Sequence, residues 1–262
     1  MAKKLGLVLG AGGSRGVAHI GFLKALEEAG ITPDYLTGSS MGSVVGSCYS
    51  IGMSSSDMIE EINKLKLSQL FDLSFNPVGN GAILRAKKMR SKLYSYLTNH
   101  TFEHTKIPFK CVAVDLISGK TKLFEGKEKL LDGVVASSSI PGIFKPVAYK
   151  DMLLVDGGVT TRLPIEEVRE MGAEVVVVVD VLGEVKPTVK KYHIASVILR
   201  VGEIYDSELT KYKIEVLKPD LYLTPDLGTM SQYKLNEIDY AIEMGYQLGK
   251  QNVKKIKQLI KG

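Results

Sequence analysis

Histidine is scarce in this chain: 262 residues hold four, His19, His100, His104 and His193. A Ser-His-Asp hydrolase of the usual α/β chain order needs its histidine on a late loop, after the acid. Only His193 comes late, and it opens a periodic helical stretch with no glycine-rich loop. His19 falls on the first helix, while His100 and His104 flank a loop and read as exposed. Cysteine is scarcer still. Cys48 and Cys111 both lie in apolar surroundings and read as buried thiols, not as a disulfide or a metal pair. No stretch approaches the ~20 apolar residues of a membrane span. The net charge of +5 comes without an arginine-rich block or an interleaved aromatic stripe, which argues against nucleic acid as a partner. So mild a positive balance suits an anionic membrane surface or an anionic substrate. Internal repeats, linkers and low-complexity segments are lacking, so 1–262 reads as one domain. Lys3-Lys4 and the apolar run from Leu5 imitate a signal peptide. The run is short, however, and ends in a glycine cluster with Arg15 instead of a small-residue cleavage site. It reads as a buried first strand, and the chain as cytoplasmic, touching membranes from that side at most.

What the chain does have is glycine and serine in a few dense clusters. Thr37-Gly38-Ser39-Ser40-Met41-Gly42 contains Gly38-x-Ser40-x-Gly42, the pattern of a nucleophile elbow. There a serine occupies a strained turn between a strand and a helix, and glycines flank it because the two backbones approach too closely for side chains. The residue after the serine, here Met41, offers its backbone N–H to a developing oxyanion. Asp34–Thr37 supplies a short strand and Ser43–Ile51 a helix of small residues.

Ahead of it, Leu5–Leu9 is a strand running into Gly10-Ala11-Gly12-Gly13-Ser14-Arg15-Gly16, followed by a helix over Val17–Ala29 with Gly30 as its stop. A glycine-rich strand-to-helix turn presents backbone N–H groups to an anion. As a dinucleotide loop it fails: residue 15 of the G-x-G-x-x-G pattern is arginine, and no acid ends a second strand at the required distance. An oxyanion hole is the other use. Downstream, Met58 to about Leu67 is a helix and residues 71–82 a loop. Residues 83–97 form an amphipathic helix whose basic face (Arg85, Lys87, Lys88, Arg90, Lys92) is either solvated or a lid or membrane-docking surface. Phe109–Leu116 and Thr121–Glu125 form a hairpin, and Lys129–Ala136 a helix. Met152–Val155 is a strand that ends in Asp156-Gly157-Gly158, presenting a carboxylate from a tight turn. A helix spans Ile165–Met171. The run Val175–Val181 is a strand buried on both faces of a parallel sheet. Helix, strand and helix over 193–209, 221–224 and 235–260 complete the chain.

Three stretches, Gly10 to Gly16, Gly38 to Gly42 and Asp156 to Gly158, occur in that order, joined by Ser139-Ile140-Pro141-Gly142-Ile143-Phe144. Together they resemble the patatin-like phospholipase family, in particular its small bacterial members, from about Leu5 to Asp180. The resemblance implies an α/β fold of three layers, α/β/α, with a mainly parallel central sheet and Ser40 at its carboxyl edge. It implies a Ser-Asp dyad in place of a triad: Ser40 as nucleophile and Asp156 as base. Gly12 and Gly13 with Arg15 would form the oxyanion hole. Gly10 replaces the acid that the family carries at the first loop position. Hydrolysis of lipid acyl esters is implied, with neither a metal nor an organic cofactor. Met41, Ile140 and Phe144 are candidates for the walls of an acyl cleft. The same dyad would serve an acyltransferase, and a lipid-binding protein with a relic site would need neither Asp156 nor Arg15. A homo-oligomer is left open.

Overall fold

The computed structural model describes residues 2–70, 91–92, 95–185, 187, 194–232 and 237–262. Eight strands form one sheet: β1 (Leu5–Leu9), β2 (Tyr35–Ser39), β3 (Phe109–Asp115), β4 (Thr121–Phe124), β5 (Val147–Tyr149), β6 (Met152–Asp156), β7 (Val175–Val179) and β8 (Leu221–Leu223). Around it lie helices α1 (Ala18–Glu28), α2 (Met41–Ser50), α3 (Ser55–Leu70), α4 (Leu130–Ser137), α5 (Ile165–Glu170), α6 (Ile194–Leu217) and α7 (Ile238–Lys261). Two strongly apolar strands sit at the centre. Leu5–Leu9 and Val175–Val179 are buried at every position and pair in parallel.

The alternation of side chains along β1 and β7 builds the layers. Leu5, Leu7, Leu9, Val175, Val177 and Val179 enter the larger core with α1, α4 and α7. Val8, Val176 and Val178 point the other way, into a smaller core with Leu163, Ile165 and Val168. The result is a three-layer α/β/α fold, as expected from the sequence. On the larger face α7 lies against α1 through glycines. A Cβ on Gly245 would strike the Ala18 carbonyl, and one on Gly249 would fall 2.5 Å from Ala25 Cβ.

The sheet is parallel from β3 through β2, β1 and β7 to β8, and antiparallel where β4 and β6 join β3 and β5 joins β6. It is therefore a mixed sheet, and the mixed end positions the site. Along β3, even-numbered backbone groups serve one edge: Leu36 N donates to Pro108 O, and Leu116 N to Leu153 O. Odd-numbered groups serve the other: Asp115 N donates to Lys120 O, on the β4 side. β2 and β6 thus share one edge of β3, end to end. β2 runs up to Ser39 opposite Val112, and β6 runs down to Asp156 opposite Ala113. The two strands meet head-on and both must turn away. β5 is a three-residue strand missing from the sequence reading, since its apolar content is too small to register.

α6 turns its polar side inward. Asp206, Ser207 and Thr210 lie against the body, while Ile198, Tyr205 and Tyr212 face out, Tyr205 being 73% exposed. Residues 91–92 and 95–97 of the helix expected over 83–97 are described and helical, with Lys92 paired to Glu61 at 2.8 Å. The rest of that helix, including Arg85, Lys87, Lys88 and Arg90, and the expected loop 71–82 lie outside the described residues, as does His193. Among the described residues, no helix is long and apolar enough to cross a membrane. Cys48 and Cys111 are buried and free.

Candidate active site

Ser40 stands where β2 becomes α2. Its backbone, φ 53° and ψ −124°, occupies a region that L-residues rarely adopt, at a cost on the order of 1–3 kcal/mol. Two glycines make the turn passable. A Cβ on Gly38 would fall 2.5 Å from the Gly42 carbonyl oxygen, and one on Gly42 would strike the Leu9 carbonyl. The turn is braced from three sides. Ser40 N donates to Ser137 Oγ (3.0 Å), Ser43 Oγ donates to Ser40 O (2.6 Å), and Thr37 Oγ1 donates to Pro164 O (2.8 Å).

The hydroxyl so presented reaches the end of β6. Ser40 Oγ donates to Asp156 Oδ2 at 2.5 Å, the short end of the range for a hydroxyl on a carboxylate. Asp156 is held as firmly. Its backbone N donates to Ser139 O (3.0 Å), and its other carboxylate oxygen, Oδ1, accepts from Gly158 N (2.8 Å). Gly157 is required by space, because a Cβ there would strike Val112 O and Ser39 Oγ. Both residues are covered, Ser40 at 4% and Asp156 at 5% exposure. Burial pushes the Asp156 carboxyl up to about 7. The Ser40 hydroxyl and Gly158 N–H oppose that rise, and the charge of Asp206 adds to it. A carboxylate near its ordinary value is a feeble base for an alcohol; one brought near neutrality is matched to the task.

The glycine loop packs directly on this elbow. A Cβ on Gly16 would fall 2.5 Å from Met41 Cβ, and the Cβ imagined on Gly42 lies 2.7 Å from Gly10 O. Residues 13–17 form a 3-10 turn leading into α1, so the helix starts one residue later than the sequence suggests. Four of the loop's N–H groups are engaged: Gly10 with Val179 O, Ala11 with Arg162 O, Ser14 with Gln232 O and Arg15 with Gly12 O. The N–H groups of Gly12, Gly13 and Met41 have no acceptor among the described residues. These are three of the four oxyanion donors that the sequence suggests.

Arg15, the fourth, is placed otherwise. Its guanidinium donates to the carbonyls of Met230 (2.8 Å), Leu182 (3.4 Å) and Gly228 (3.5 Å). Burial of the cation lowers its proton affinity. The side chain is therefore spent on anchoring the glycine loop to the 228–232 segment, and its own N–H is taken. Of the proposed cleft walls, Met41 packs partly buried on the core, and Ile140 and Phe144 are half-buried on one turn closed by Phe144 N donating to Ile140 O (2.9 Å). No described histidine bonds to Ser40 or Asp156. His100 and His104 sit on the 100–104 segment, His104 bonded to Thr101 (2.7 Å). His19 is buried and contacts Gly10. Sequence reasoning passed over Ser137, which steadies the Ser40 turn, and Arg162, whose carbonyl holds Ala11. The only hint in the sequence was three consecutive serines at the end of a helix.

Comparison with known proteins agrees with this architecture. A family model described as patatin-like phospholipase matches residues 7–169. An uncharacterized NTE family protein of Mycobacterium tuberculosis is 33% identical over 182 residues, covering 69% of this chain and 49% of that protein. A lysophospholipase of Coccidioides immitis is 29% identical over 185 residues, 68% of this chain and 12% of that protein. The chain spans half or less of the length of these curated relatives. The crystal structure of VipD from Legionella pneumophila shares the fold, with a TM-score of 0.56 at 14% identity over 97% of this chain and 67% of that one. With its elbow, glycine loop and Asp-Gly-Gly turn inside the matched stretch or at its edge, and with that stretch covering more than half of its length, the chain belongs to the patatin-like phospholipase family.

Proposed function

We propose that the protein is a serine acyl hydrolase acting on lipid esters, of lipase, phospholipase A or lysophospholipase type, with residues 1–262 forming one catalytic domain. The observation that carries this reading is the 2.5 Å hydrogen bond from Ser40 Oγ to a buried Asp156. Ionised Asp156 takes the proton of Ser40 as Oγ attacks the ester carbonyl. The charge that develops on the carbonyl oxygen is met by the N–H groups of Met41, Gly12 and Gly13, which have no other acceptor among the described residues. Collapse expels the alcohol, which receives the proton from Asp156, and leaves an acyl-Ser40 ester. Water, deprotonated by Asp156, attacks that ester, and the returning proton restores the Ser40 hydroxyl.

The lipid character of the substrate is supported by family membership and by the surface. The exposed Ile117 and Val159 lie beside the turn that carries Asp156, and α6, which packs on that turn through its inward side, adds an outward apolar face to the same region. Lys213 Nζ donates to Thr160 O (3.0 Å), and Thr160 meets Thr121 of the β3–β4 hairpin (3.0 Å). Contact with a membrane or lipid aggregate would bring ester bonds to this edge.

The direct test is covalent labelling with a fluorophosphonate, together with turnover of lysophospholipid. Labelling confined to Ser40 and absent from Ser40→Ala is the expected result. A wild-type protein that neither labels nor releases fatty acid refutes the reading.

A further inference from the structure

His19 is completely buried, 0% exposed, on the first turn of α1. Its Nε2 lies 2.8 Å from the carbonyl oxygen of Gly10. A carbonyl can only accept, so Nε2 carries the proton and donates. Nδ1 is then a bare acceptor, and it has no partner among the described residues. Burial pushes the imidazole down to about 4, so the ring is neutral over the working range and this tautomer persists. A leucine would fill such a space without leaving an acceptor unsatisfied in the core, which counts against folding. The one polar contact this side chain makes among the described residues is therefore the feature to explain.

That contact falls on the first residue of the glycine loop. Gly10 N is tied to Val179 and Ala11 N to Arg162; the carbonyl between those two amides is the one His19 holds. Immediately after come Gly12, and Gly13 with φ +52°, the residues whose N–H groups have no acceptor among the described residues. Glycines leave this backbone intrinsically loose, whereas oxyanion donors act only if fixed beforehand. We propose that His19 is a positioning residue: its Nε2–H sets the plane of the Gly10–Ala11 peptide and thereby the aim of the Gly12 and Gly13 donors. This rests on the acyl hydrolase reading. His19 touches no substrate and moves no proton.

Three variants separate positioning from packing. His19→Gln keeps an amide N–H at about the reach of Nε2; His19→Asn is polar but too short; His19→Leu keeps volume without a donor. The readouts are kcat and KM on p-nitrophenyl butyrate, the rate of fluorophosphonate labelling, and amide hydrogen exchange of residues 5–16. With Leu or Asn, kcat and labelling rate should fall about 10²-fold, the loss typical of a misplaced oxyanion donor. KM should change little, and exchange at Gly12 and Gly13 should quicken. Gln should return all three toward wild type. Wild-type kcat and exchange in Leu overturn the proposal, and so do equal losses in Gln and Leu, which would mean packing alone. Should Leu fail to fold, the Gln–Asn pair decides, and equal rates for the two overturn it. If the wild type itself neither turns over nor labels, the hydrolase reading falls. The exchange comparison then decides for His19: quickening in Asn and recovery in Gln support the loop restraint, and unchanged exchange overturns it.

Discussion

Asp156→Asn should stabilise the protein while disabling it, and the size of the gain should depend on pH. The carboxyl ionises at about 7 in the folded chain against an ordinary 3.8. The difference, 7 − 3.8 ≈ 3 powers of ten in proton affinity, corresponds to about 4 kcal/mol. Because the folded value is the higher one, the folded chain binds the extra proton between those two values. Stability therefore falls as pH rises from about 4 to about 7 and is level on either side. Asparagine removes that penalty without leaving a gap. Its oxygen can keep the Gly158 N–H, and its amide can donate to Ser40 Oγ, whose own hydrogen then rotates away. Urea unfolding of both proteins, followed by far-UV circular dichroism at pH 4, 6 and 8, reads the effect. The two should match at pH 4, with the variant ahead by up to about 4 kcal/mol at pH 8. His19 and Glu167 also titrate away from their ordinary values, but they do so in both proteins and cancel in the difference; Asp206, whose charge adds to the rise of Asp156, is part of the effect being read. Turnover should fall by roughly 10²–10⁴, the usual share of a general base. A stability difference that is constant with pH, or a wild type that is more stable at pH 8, would refute the claim that Asp156 is buried as a strained base.

The same ionisation sets the pH profile. kcat/KM should rise through about 7 and level above it, and the limb should survive in His100→Gln, His104→Gln and His193→Gln; its loss in any of these would point to an imidazole base. Arg15→Ala cuts a charged group from three backbone carbonyls and should lower stability by about 1.5–3 kcal/mol, with slower labelling of Ser40. Unchanged thermal unfolding combined with a large loss of kcat would instead return Arg15 to the oxyanion itself. Ile198→Ser, Tyr205→Ser and Tyr212→Ser, combined, should weaken sedimentation with phosphatidylcholine vesicles and leave turnover of a short soluble ester intact. Undiminished vesicle binding would remove α6 from membrane contact.

Much of this protein follows from the sequence alone. The short apolar runs at 5–9 and 175–179, the second of them all valine, read as strands covered on both faces, so the layered fold was legible. Gly38-x-Ser40-x-Gly42 fixed the elbow, because no other residues pass a Cβ-free turn against Leu9 and Gly42 itself. The Asp156-Gly157-Gly158 turn announced a presented carboxylate. What the sequence could not show was that β2 and β6 share one edge of β3 and end against each other, for that depends on hydrogen-bond parity across strands about 117 residues apart in their last members. Nor could it show the burial that raises Asp156, which comes from the whole molecule closing over one carboxyl. Arg15 reads as chemistry in a local motif, yet its partners at 182, 228 and 230 are more than 160 residues away, and only the folded chain brings their carbonyls to it. His19 looked like an ordinary helix residue for the same reason. Local patterns fix turns and strands through sterics and periodicity, whereas the pairing of a hydroxyl, a carboxylate, an anchor and a loop is decided by which distant backbones the sheet lays side by side.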